Sequence, residues 1–279
     1  MRKNIKKYLA AFAALSLLLT ACGGAKDAKS DSSADTTQAG ETKTGSGTGE
    51  KVLKFGQANA GTGLDMQKST SSGAASIADE VTESLLRFND KNEEEVVLLT
   101  DFPKVSDDGL TYSFELKKGV KFTNGVELTT KDVQYTFERM FTPETGAKST
   151  TYFDMIKGAK DMLAGSATSL SGFEAVDDYH FNIVLEQPFA PFVKNLGTSY
   201  ADIFPAEATK AAGADWGIGT NLIGTGPYKI LSNDDTTEVV LVKNEDYHGG
   251  NVNLDTLRVL YYDDAQTKLI AYENGDIDL

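Results

Sequence analysis

The stretch DDGLTYSFELKKGVKFTNGVELTTKDVQYTFERM, residues 107–140, decides the fold of this chain. Its first three residues form a turn signal, and apolar side chains then alternate with polar ones through Tyr112, Phe114 and Leu116. Alternation of this kind places one face of a strand against a core. The stretch therefore predicts a half-buried strand shortly after the turn.

A hairpin and a helix are predicted in the rest of the stretch. The pair Asn124-Gly125 separates two short apolar runs, and Asn-Gly tolerates positive φ at both corners of a tight turn. Thr129 stands three residues before Asp132, which is the signature of a helix start. Because apolar residues then recur at helical spacing, we expect a strand, a hairpin and an amphipathic helix in succession.

This stretch resembles the signature of the extracellular solute-binding proteins of ABC importers, in the oligopeptide and dipeptide binder family (family 5). The shared run is an aromatic strand, a basic-Gly-Val-basic-Phe segment, a turn glycine and an aromatic helix, with Thr130 where the family usually has Ala. Three further motifs follow in the family's order. They are Gly-Thr-Gly-Pro-Tyr at 224–228, Asn-Glu-Asp-Tyr-His-Gly-Gly at 244–250 and Gly-Asp-Ile-Asp at 275–278.

The resemblance covers roughly residues 52–279, although Glu245 and His248 stand where the family usually has Pro and Trp. It implies an α/β, periplasmic-binding-protein-like (type II) lobe with a mixed sheet and a subsidiary α+β subdomain. The main lobe is expected at about 51–75 and 193–279, and the subsidiary lobe at about 76–192. Family members are much longer, so this is expected to be an N-terminal portion, truncated at the C-terminus, with the second lobe absent.

The first 50 residues indicate export and anchoring. Residues 1–21 have a basic start and a short apolar core, which is typical of a secretory signal peptide. Leu-Thr-Ala precedes Cys22, the pattern of bacterial lipoprotein processing, so Cys22 is the predicted lipidation site and the new N-terminus. Residues 23–50 contain no Val, Ile, Leu, Met or aromatic residue and predict a disordered tether that spans roughly 30 Å on average.

The charge of the chain excludes one class of partner. Removing the four basic residues of the signal lowers the count of Lys and Arg from 27 to 23 against 41 Asp and Glu, a net charge of −18. Binding of nucleic acid requires a basic footprint, so no nucleic-acid partner is expected. For a solute binder the acidic surface indicates solubility, and an acidic cleft that favours cationic peptides is the open alternative.

Periodicity predicts the remaining elements. Strands are expected at 52–58, 96–99, 179–185, 228–231, 237–242 and 256–262. Helices are expected at 76–88, 153–163 and 264–274, together with a proline-interrupted helical run to residue 196. Residues 276–279 follow a strand and a helix, so they are expected to begin a parallel partner strand.

Seven residues are candidate ligand contacts: Asn59, Ala60, Gly61, Thr62, Trp216, Gly224 and Thr225. The first four form a turn-rich loop after the first strand, where ligands of open α/β sheets bind. Trp216 either stacks on a ligand or packs in the core, and the same alternatives hold for Tyr152 and Tyr200. Gly224 and Thr225 either approach a ligand with their backbone or form a tight turn before the next strand.

No catalytic or metal motif is visible in the sequence. The chain has two histidines and a single cysteine, and it lacks G-x-S-x-G, a Gly-Lys dipeptide, G-x-G-x-x-G and H-E-x-x-H. We therefore expect no enzyme activity, no cofactor and no metal site. A carboxylate pair such as glycosidases use has no sequence signature, so a secreted hydrolase stays an alternative.

The interpretation that unites these observations is a substrate-binding lipoprotein of an ABC importer. By resemblance it captures extracellular di- or oligopeptides, closes two lobes around them and delivers them to a membrane permease. It is expected to be a lipid-anchored monomer when full length, facing the extracellular side or the periplasm. Nickel chelates, opines and sugars remain alternative solutes, and an adhesin or sensor on the same scaffold is an alternative function.

Overall fold

The computed structural model describes residues 49–61 and 63–279, so the signal peptide, Cys22 and nearly all of the tether lie outside the described residues. The strands of the described part are β1 Val52–Gln57, β2 Leu86–Phe88, β3 Glu94–Val96, β4 Lys104–Val105, β5 Thr111–Glu115, β6 Phe173–Ala175, β7 His180–Val184, β8 Tyr228–Asn233, β9 Glu238–Lys243 and β10 Thr256–Tyr261.

The helices of the same residues are α1 Ser72–Val81, α2 Thr130–Phe141, α3 Ala159–Leu163, α4 Phe192–Asn195, α5 Ala206–Ala212 and α6 Ala265–Glu273. Short 3₁₀ turns lie at Pro143–Thr145, Thr150–Tyr152, Ser199–Ala201 and Gly213–Asp215. Within the described ranges, no helix is both long and apolar enough to span a bilayer.

The first sheet is mixed and has the order β1-β10-β9-β8. β1 runs parallel to β10, while β10, β9 and β8 pair antiparallel. The far edge of β1 is covered by the last residues of the chain, since Asp278 donates its backbone N–H to the carbonyl of Lys54 at 2.8 Å. These last residues form backbone contacts to β1 but are not an assigned strand, so the strand predicted at 276–279 is found only as an edge contact.

The second sheet is antiparallel, has the order β4-β5-β7-β6 and contains the predicted strand β5. On its inner face, Phe114 of β5 stacks on Phe181 of β7 with ring centroids 4.8 Å apart. Helix α2 begins after Thr129, whose backbone N–H donates to the Asp132 carboxylate at 3.0 Å. Because Phe137 of α2 is fully buried in the same core, the predicted strand and amphipathic helix are both confirmed.

Two separate cores lie inside the described chain. Buried residues between 85 and 203 form one core around β5, β7 and α2. Buried residues of 60–81 and 204–259 form the other, where α1 packs on the mixed sheet. The division into a main and a subsidiary lobe remains a proposal. If each core corresponds to one lobe, the lobe boundaries lie near residues 82 and 204 rather than 76 and 192, because α1 packs with the mixed sheet.

The hairpin turn differs from the prediction at one corner. Gly125 has a φ of +86°, whereas Asn124 is not among the described residues with positive φ. Phe122 accepts the N–H of Gly125 at 2.8 Å, and the Asn124 side chain accepts the N–H of Val126 at 3.1 Å. The connection is therefore a type I turn followed by a left-handed glycine, in which Asn124 acts through its side chain rather than through its backbone angle.

Helix α1 ends earlier than its apolar pattern predicts. The expected helix at 76–88 is found at Ser72–Val81, and residues 86–88 form β2 instead. The carbonyl of Val81, which a longer helix would use internally, accepts the N–H of Gly226 at 3.0 Å. The helix is thus ended by a segment 145 residues further along the chain, a contact that has no local signal.

Two further predictions were wrong in extent. The helix expected at 153–163 is present only as α3, because residues before it pair with the end of β7: Lys157 donates its N–H to Val184 at 2.9 Å. Gly158 then takes a φ of +86° as the residue before α3. The strand expected at 96–99 is β3, which ends at Val96, and Leu99 makes only an isolated bridge to Leu116.

Candidate functional site

Three cavities lie in a row along helix α1 and share lining residues. The cavity at the N-terminal end of α1 has a volume of 290 Å³ and shares Thr70 and Ser71 with the next cavity of 370 Å³. That second cavity shares Gly197 and Ser199 with the third, which has 480 Å³ and lies at the C-terminal end of the helix. We call this row of three cavities the α1 groove.

Three of the seven predicted ligand contacts meet at the N-terminal end of the α1 groove. Ala60, Gly61 and Trp216 all line the first cavity. The loop before α1 holds its shape through Gly61, which has a φ of +84° and donates its N–H to the Asn59 side chain at 2.7 Å. Thr62, the fourth loop residue predicted from the sequence, lies outside the described residues.

The side chain of Asn59 braces the loop and does not line any of the three cavities of the groove. Its side-chain amide donates to the carbonyl of Asp235 at 3.0 Å, which links the loop to the turn between β8 and β9. With its oxygen taken by Gly61, both ends of this amide are used inside the protein. A contact from Asn59 to a ligand stays a prediction, while its role in positioning Gly61 follows from these bonds.

Trp216 combines the two roles that the sequence left open. Its side chain is 1% exposed and meets the ring of Phe204 edge-on, with centroids 5.3 Å apart. It is therefore a core residue, and it also forms part of the wall of the first cavity. Its indole Nε1 is buried without a hydrogen-bond partner among the residues that the structure describes.

Gly224 and Thr225 lie at the other end of α1 and face the helix. A Cβ added at Gly224 would stand 2.1 Å from the carbonyl oxygen of Val81, so only glycine allows this close approach. Thr225 is fully buried and donates its hydroxyl to Glu83 at 2.8 Å. The structure thus places both residues against the end of α1, and a direct ligand contact from them remains a prediction.

Glu83 is buried and contacts three polar side chains, and no local pattern in the sequence predicts this. Its carboxylate accepts the Tyr247 hydroxyl at 2.7 Å and lies 2.6 Å from Nε2 of His248, besides the bond from Thr225. Burial and the charge of Glu83 raise the pKa of Tyr247 well above its usual range. Tyr247 and His248 belong to the motif at 244–250, so this motif fixes the C-terminal end of α1 instead of forming a free loop.

The two ends of the α1 groove carry opposite charge. Lys68 and Lys148 line the first cavity, whereas carboxylates including Asp79 and Glu80 line the third. Burial raises the pKa of Asp79 and of Glu80, and the charge of Asp79 adds to the rise at Glu80. No group of three His, Cys, Asp or Glu residues in the described ranges is placed to hold a metal ion.

An aromatic pair stands beside the middle of the groove. Tyr200 lines the second cavity, and Tyr152, which is 41% exposed, lies against it with ring centroids 4.9 Å apart. The carbonyl of Tyr152 accepts the Asn195 side chain at 2.7 Å, which fixes the backbone that carries the ring. The pair places aromatic surface beside the groove, and aromatic side chains are common in the lining of small-molecule sites.

Relatives with known names were found for most of the described chain. The chain is 28% identical over 211 residues to "Heme-binding protein A" of Haemophilus influenzae, which covers 72% of this chain and 38% of the relative. It is 30% identical over 198 residues to "Di/tripeptide-binding protein 4" of Pseudomonas aeruginosa, covering 66% of this chain and 36% of the relative. Among solved structures, Listeria monocytogenes OppA bound to peptide matches with a TM-score of 0.76 and 24% identity, over 82% of this chain and 46% of that one.

The chain therefore spans less than half the length of each of these proteins. The structural match shows a shared peptide-binding-protein fold, of mixed α/β class. A model of one family, described as bacterial extracellular solute-binding proteins, family 5 Middle, matches residues 94–279, which is more than half of the chain. The chain belongs to the family 5 bacterial extracellular solute-binding proteins, which bind solutes and are not enzymes.

Proposed function

We propose that this chain is the peptide-capturing part of a substrate-binding lipoprotein of an ABC importer. In this proposal Cys22 carries the lipid anchor, the tether holds the domain outside the membrane, and di- or oligopeptides bound in the α1 groove are delivered to a permease. The proposal includes closure of lobes over the peptide and a monomeric protein at full length.

The observation that carries the proposal is the charge and length of the α1 groove. Helix α1 has ten residues, about 15 Å at 1.5 Å per residue. An extended peptide advances about 3.3 Å per residue, so four or five residues match the helix in length. With Lys68 and Lys148 at one end and Asp79 and Glu80 at the other, the groove complements the opposite charges that a short zwitterionic peptide carries at its two ends.

The names of the relatives support the same class of solute. One relative is named as a di/tripeptide-binding protein, and the OppA structure that shares this fold was solved with a peptide bound. Another relative is named as a heme-binding protein, so solutes other than peptides occur among proteins of similar sequence. The separated charges of the α1 groove favour a peptide over a flat, largely apolar solute.

The test is a ligand screen by thermal shift, followed by calorimetry. A ligand that binds the folded state raises stability by RT ln(1 + [L]/Kd), so a pool of two- to six-residue peptides should raise the melting temperature of the full chain. Free amino acids and a heme solution are the comparison ligands. An adhesin or sensor that takes no peptide would show no shift with the pool, and that result would end the proposal.

A pair of variants on α1 locates the binding site. Ser72 is exposed and lines the second cavity, so Ser72→Phe should block the groove and abolish the peptide shift. Ser76 is exposed on the same helix but lines none of the three cavities, so Ser76→Phe should retain the rise in melting temperature with peptide. Peptide binding that survives in Ser72→Phe would place the site elsewhere.

A further inference from the structure

The second cavity of the α1 groove differs in charge from the cavities on either side of it. None of the described residues that line it is charged, and its wall consists of Ser, Thr, Gly, Ala, Met and Tyr residues. By contrast, Lys68 and Lys148 line the first cavity, and Asp79 and Glu80 line the third. A neutral section of 370 Å³ therefore separates the basic end of the groove from the acidic end.

Two hydroxyl groups of this wall are already used inside the protein. Thr198 donates its hydroxyl proton to the carbonyl of Asn195 at 2.7 Å, and Ser199 donates its own to Oδ1 of Asp79 at 2.6 Å. A charged group that entered the cavity would lose contact with water and find no opposite charge in the described lining. Burial of a charge without a partner is costly, so the cavity disfavours charged groups.

The apolar part of the wall suits an aromatic ring. Met66, which is almost fully buried, lines the cavity, and a methionine thioether makes favourable contacts with aromatic rings. Tyr200 lines the same cavity and packs against both cores, which holds its ring in place. The ring of Tyr152 lies against Tyr200 and keeps part of its surface exposed. A further ring can therefore pack against this pair at the edge of the cavity, as aromatic side chains commonly do.

We propose that the second cavity accepts one uncharged side chain of the captured peptide, prefers an aromatic one, and disfavours Lys, Arg, Asp and Glu at that position. The inference rests on the proposed peptide-binding function and adds a sequence preference to it. Because the charged ends of the peptide are assigned to the first and third cavities, an internal residue of the peptide lies at the second. Its volume is within the usual range for sites that bind small molecules, about 300–1,000 Å³.

The experiment measures the affinity of the full chain for a set of tetra-alanine peptides by calorimetry. In each peptide one internal alanine, the second or the third, is replaced by phenylalanine, leucine, lysine or glutamate. At one of the two positions phenylalanine should bind roughly tenfold or more tightly than lysine and glutamate, because the charged side chains lose their hydration there. Lysine or glutamate that binds as tightly as phenylalanine at both positions would overturn the inference and leave peptide binding intact.

A charge introduced into the wall assigns the preference to this cavity. Ser72 lines the second cavity and is the first residue of α1, where a carboxylate also stabilises the helix. Ser72→Asp should therefore fold and should reverse the order, so that lysine binds more tightly than phenylalanine. Ser76→Asp, which adds the same charge on α1 outside the three cavities, should keep the order of the parent. The parent's order in Ser72→Asp as well would overturn the assignment.

The contribution of the aromatic pair is measured separately. Tyr152→Ala removes a ring that is partly exposed, so it should reduce the advantage of phenylalanine over leucine while lysine and glutamate stay disfavoured. An advantage of phenylalanine over leucine that is unchanged in this variant would overturn the role given to the pair.

A probe without peptide ends separates this inference from the peptide proposal. N-acetylphenylalaninamide carries the ring alone, and the ε-methyl signal of Met66, in protein labelled at its methionine methyls, reports a ring in the second cavity. That signal should shift with the probe, whereas the signal of Met140, which is buried in the other core, should not. If no peptide binds, the peptide proposal fails, but a Met66 shift that Ser72→Phe abolishes would still support the neutral pocket. No Met66 shift with the peptides or with the probe would overturn it.

Discussion

Nη2 of Arg139 lies 2.5 Å from Oδ2 of Asp65, and both side chains are less than one-tenth exposed. This ion pair joins α2 to the loop before α1, and it therefore links the two cores of the described chain. Gln67 strengthens the link, because its side-chain oxygen accepts from Arg139 and its amide donates to the carbonyl of Thr136 at 2.8 Å. Asp65 of this pair also lines the first cavity, so the carboxylate that stabilises the link between the cores is part of the groove.

Replacing Asp65 by Asn should lower the free energy of unfolding by about 3–5 kcal/mol. The change leaves the Arg139 guanidinium buried without a counter-charge, and breaking a buried ion pair from one side has this cost. Urea denaturation of the parent and the variant measures it. The control is Glu207→Gln, which breaks the exposed Lys210–Glu207 pair and should cost about 0.5 kcal/mol or less. Similar losses in the two variants would contradict the prediction.

Asp202 should make stability depend on pH. The Thr82 hydroxyl lies 2.8 Å from the carbonyl of Ala78 and 2.6 Å from Oδ2 of Asp202, yet it has one proton to donate. Both bonds form when Asp202 is protonated and donates to Thr82. Burial raises the pKa of Asp202 well above its usual value, and the nearby carboxylates of Asp79 and Glu83 raise it further.

The direction of this pH effect follows from the raised pKa. An acid whose pKa is higher in the folded state stabilises fully below its unfolded pKa, and this contribution is lost as pH rises through the folded pKa. Asp202→Asn keeps a donor to Thr82 and does not titrate, so its stability relative to the parent should increase as the pH rises from 4. Asp264→Asn is the control of opposite sign, because hydrogen bonds from Thr267 lower the pKa of Asp264, so the advantage of the parent over this variant should shrink as the pH falls through that lowered pKa. A constant difference between Asp202→Asn and the parent as the pH rises from 4 would contradict the prediction.

Gly125→Val should lower the free energy of unfolding by roughly 1–3 kcal/mol. Gly125 has a φ of +86°, and a β-branched residue is strained there even though a Cβ would meet no atom within 4 Å. Gly49→Val is the matched control, since its Cβ also meets nothing within 4 Å and its φ lies outside the left-handed range. Thermal melting of both variants separates strain from crowding. If Gly125→Val had the same melting temperature as the parent, the left-handed geometry assigned to this turn would be wrong.

Cys22→Ala should prevent lipid attachment. In the proposed lipoprotein, processing makes Cys22 the acylated N-terminus, so the variant should remain unprocessed or be released to the medium. Labelling of cells with a radioactive fatty acid measures attachment directly. Equal label in the parent and in Cys22→Ala would show that the chain is not anchored through this residue.

The local parts of the fold were predictable because their signals lie within a few residues. Strand β5 and helix α2 follow from alternation and from the Thr129–Asp132 spacing, and both are present. The end of α1 was not predictable, since Gly226 takes the carbonyl of Val81 from a distant part of the chain. An apolar pattern indicates which face of a helix is buried, but it does not indicate where another segment interrupts the helix.

The candidate site was predictable only in outline for the same reason. The turn-rich loop and Trp216 have local signals, and they line one cavity. Lys68 and Lys148 look like ordinary surface lysines in the sequence, and folding alone brings them to the same cavity. The bonds from Tyr247 and His248 to Glu83 also join distant segments, so the motif at 244–250 was visible while its partner was not.

Gly224→Ala should test whether the Gly-Thr-Gly-Pro-Tyr motif serves the fold or the ligand. The added Cβ would stand 2.1 Å from the Val81 carbonyl oxygen and 2.6 Å from the Thr82 Cα, both of which are backbone atoms that cannot move aside alone. Overpacking typically costs about 1–3 kcal/mol and sometimes more, so we expect a loss near the upper end of that range in urea denaturation. Thr225→Ser, which keeps the hydroxyl that Glu83 accepts, is the conservative control and should cost less. If Gly224→Ala instead unfolded like the parent but lost affinity for peptide, the motif would be a ligand contact, and the packing of Gly224 against α1 would not be the reason for its glycine.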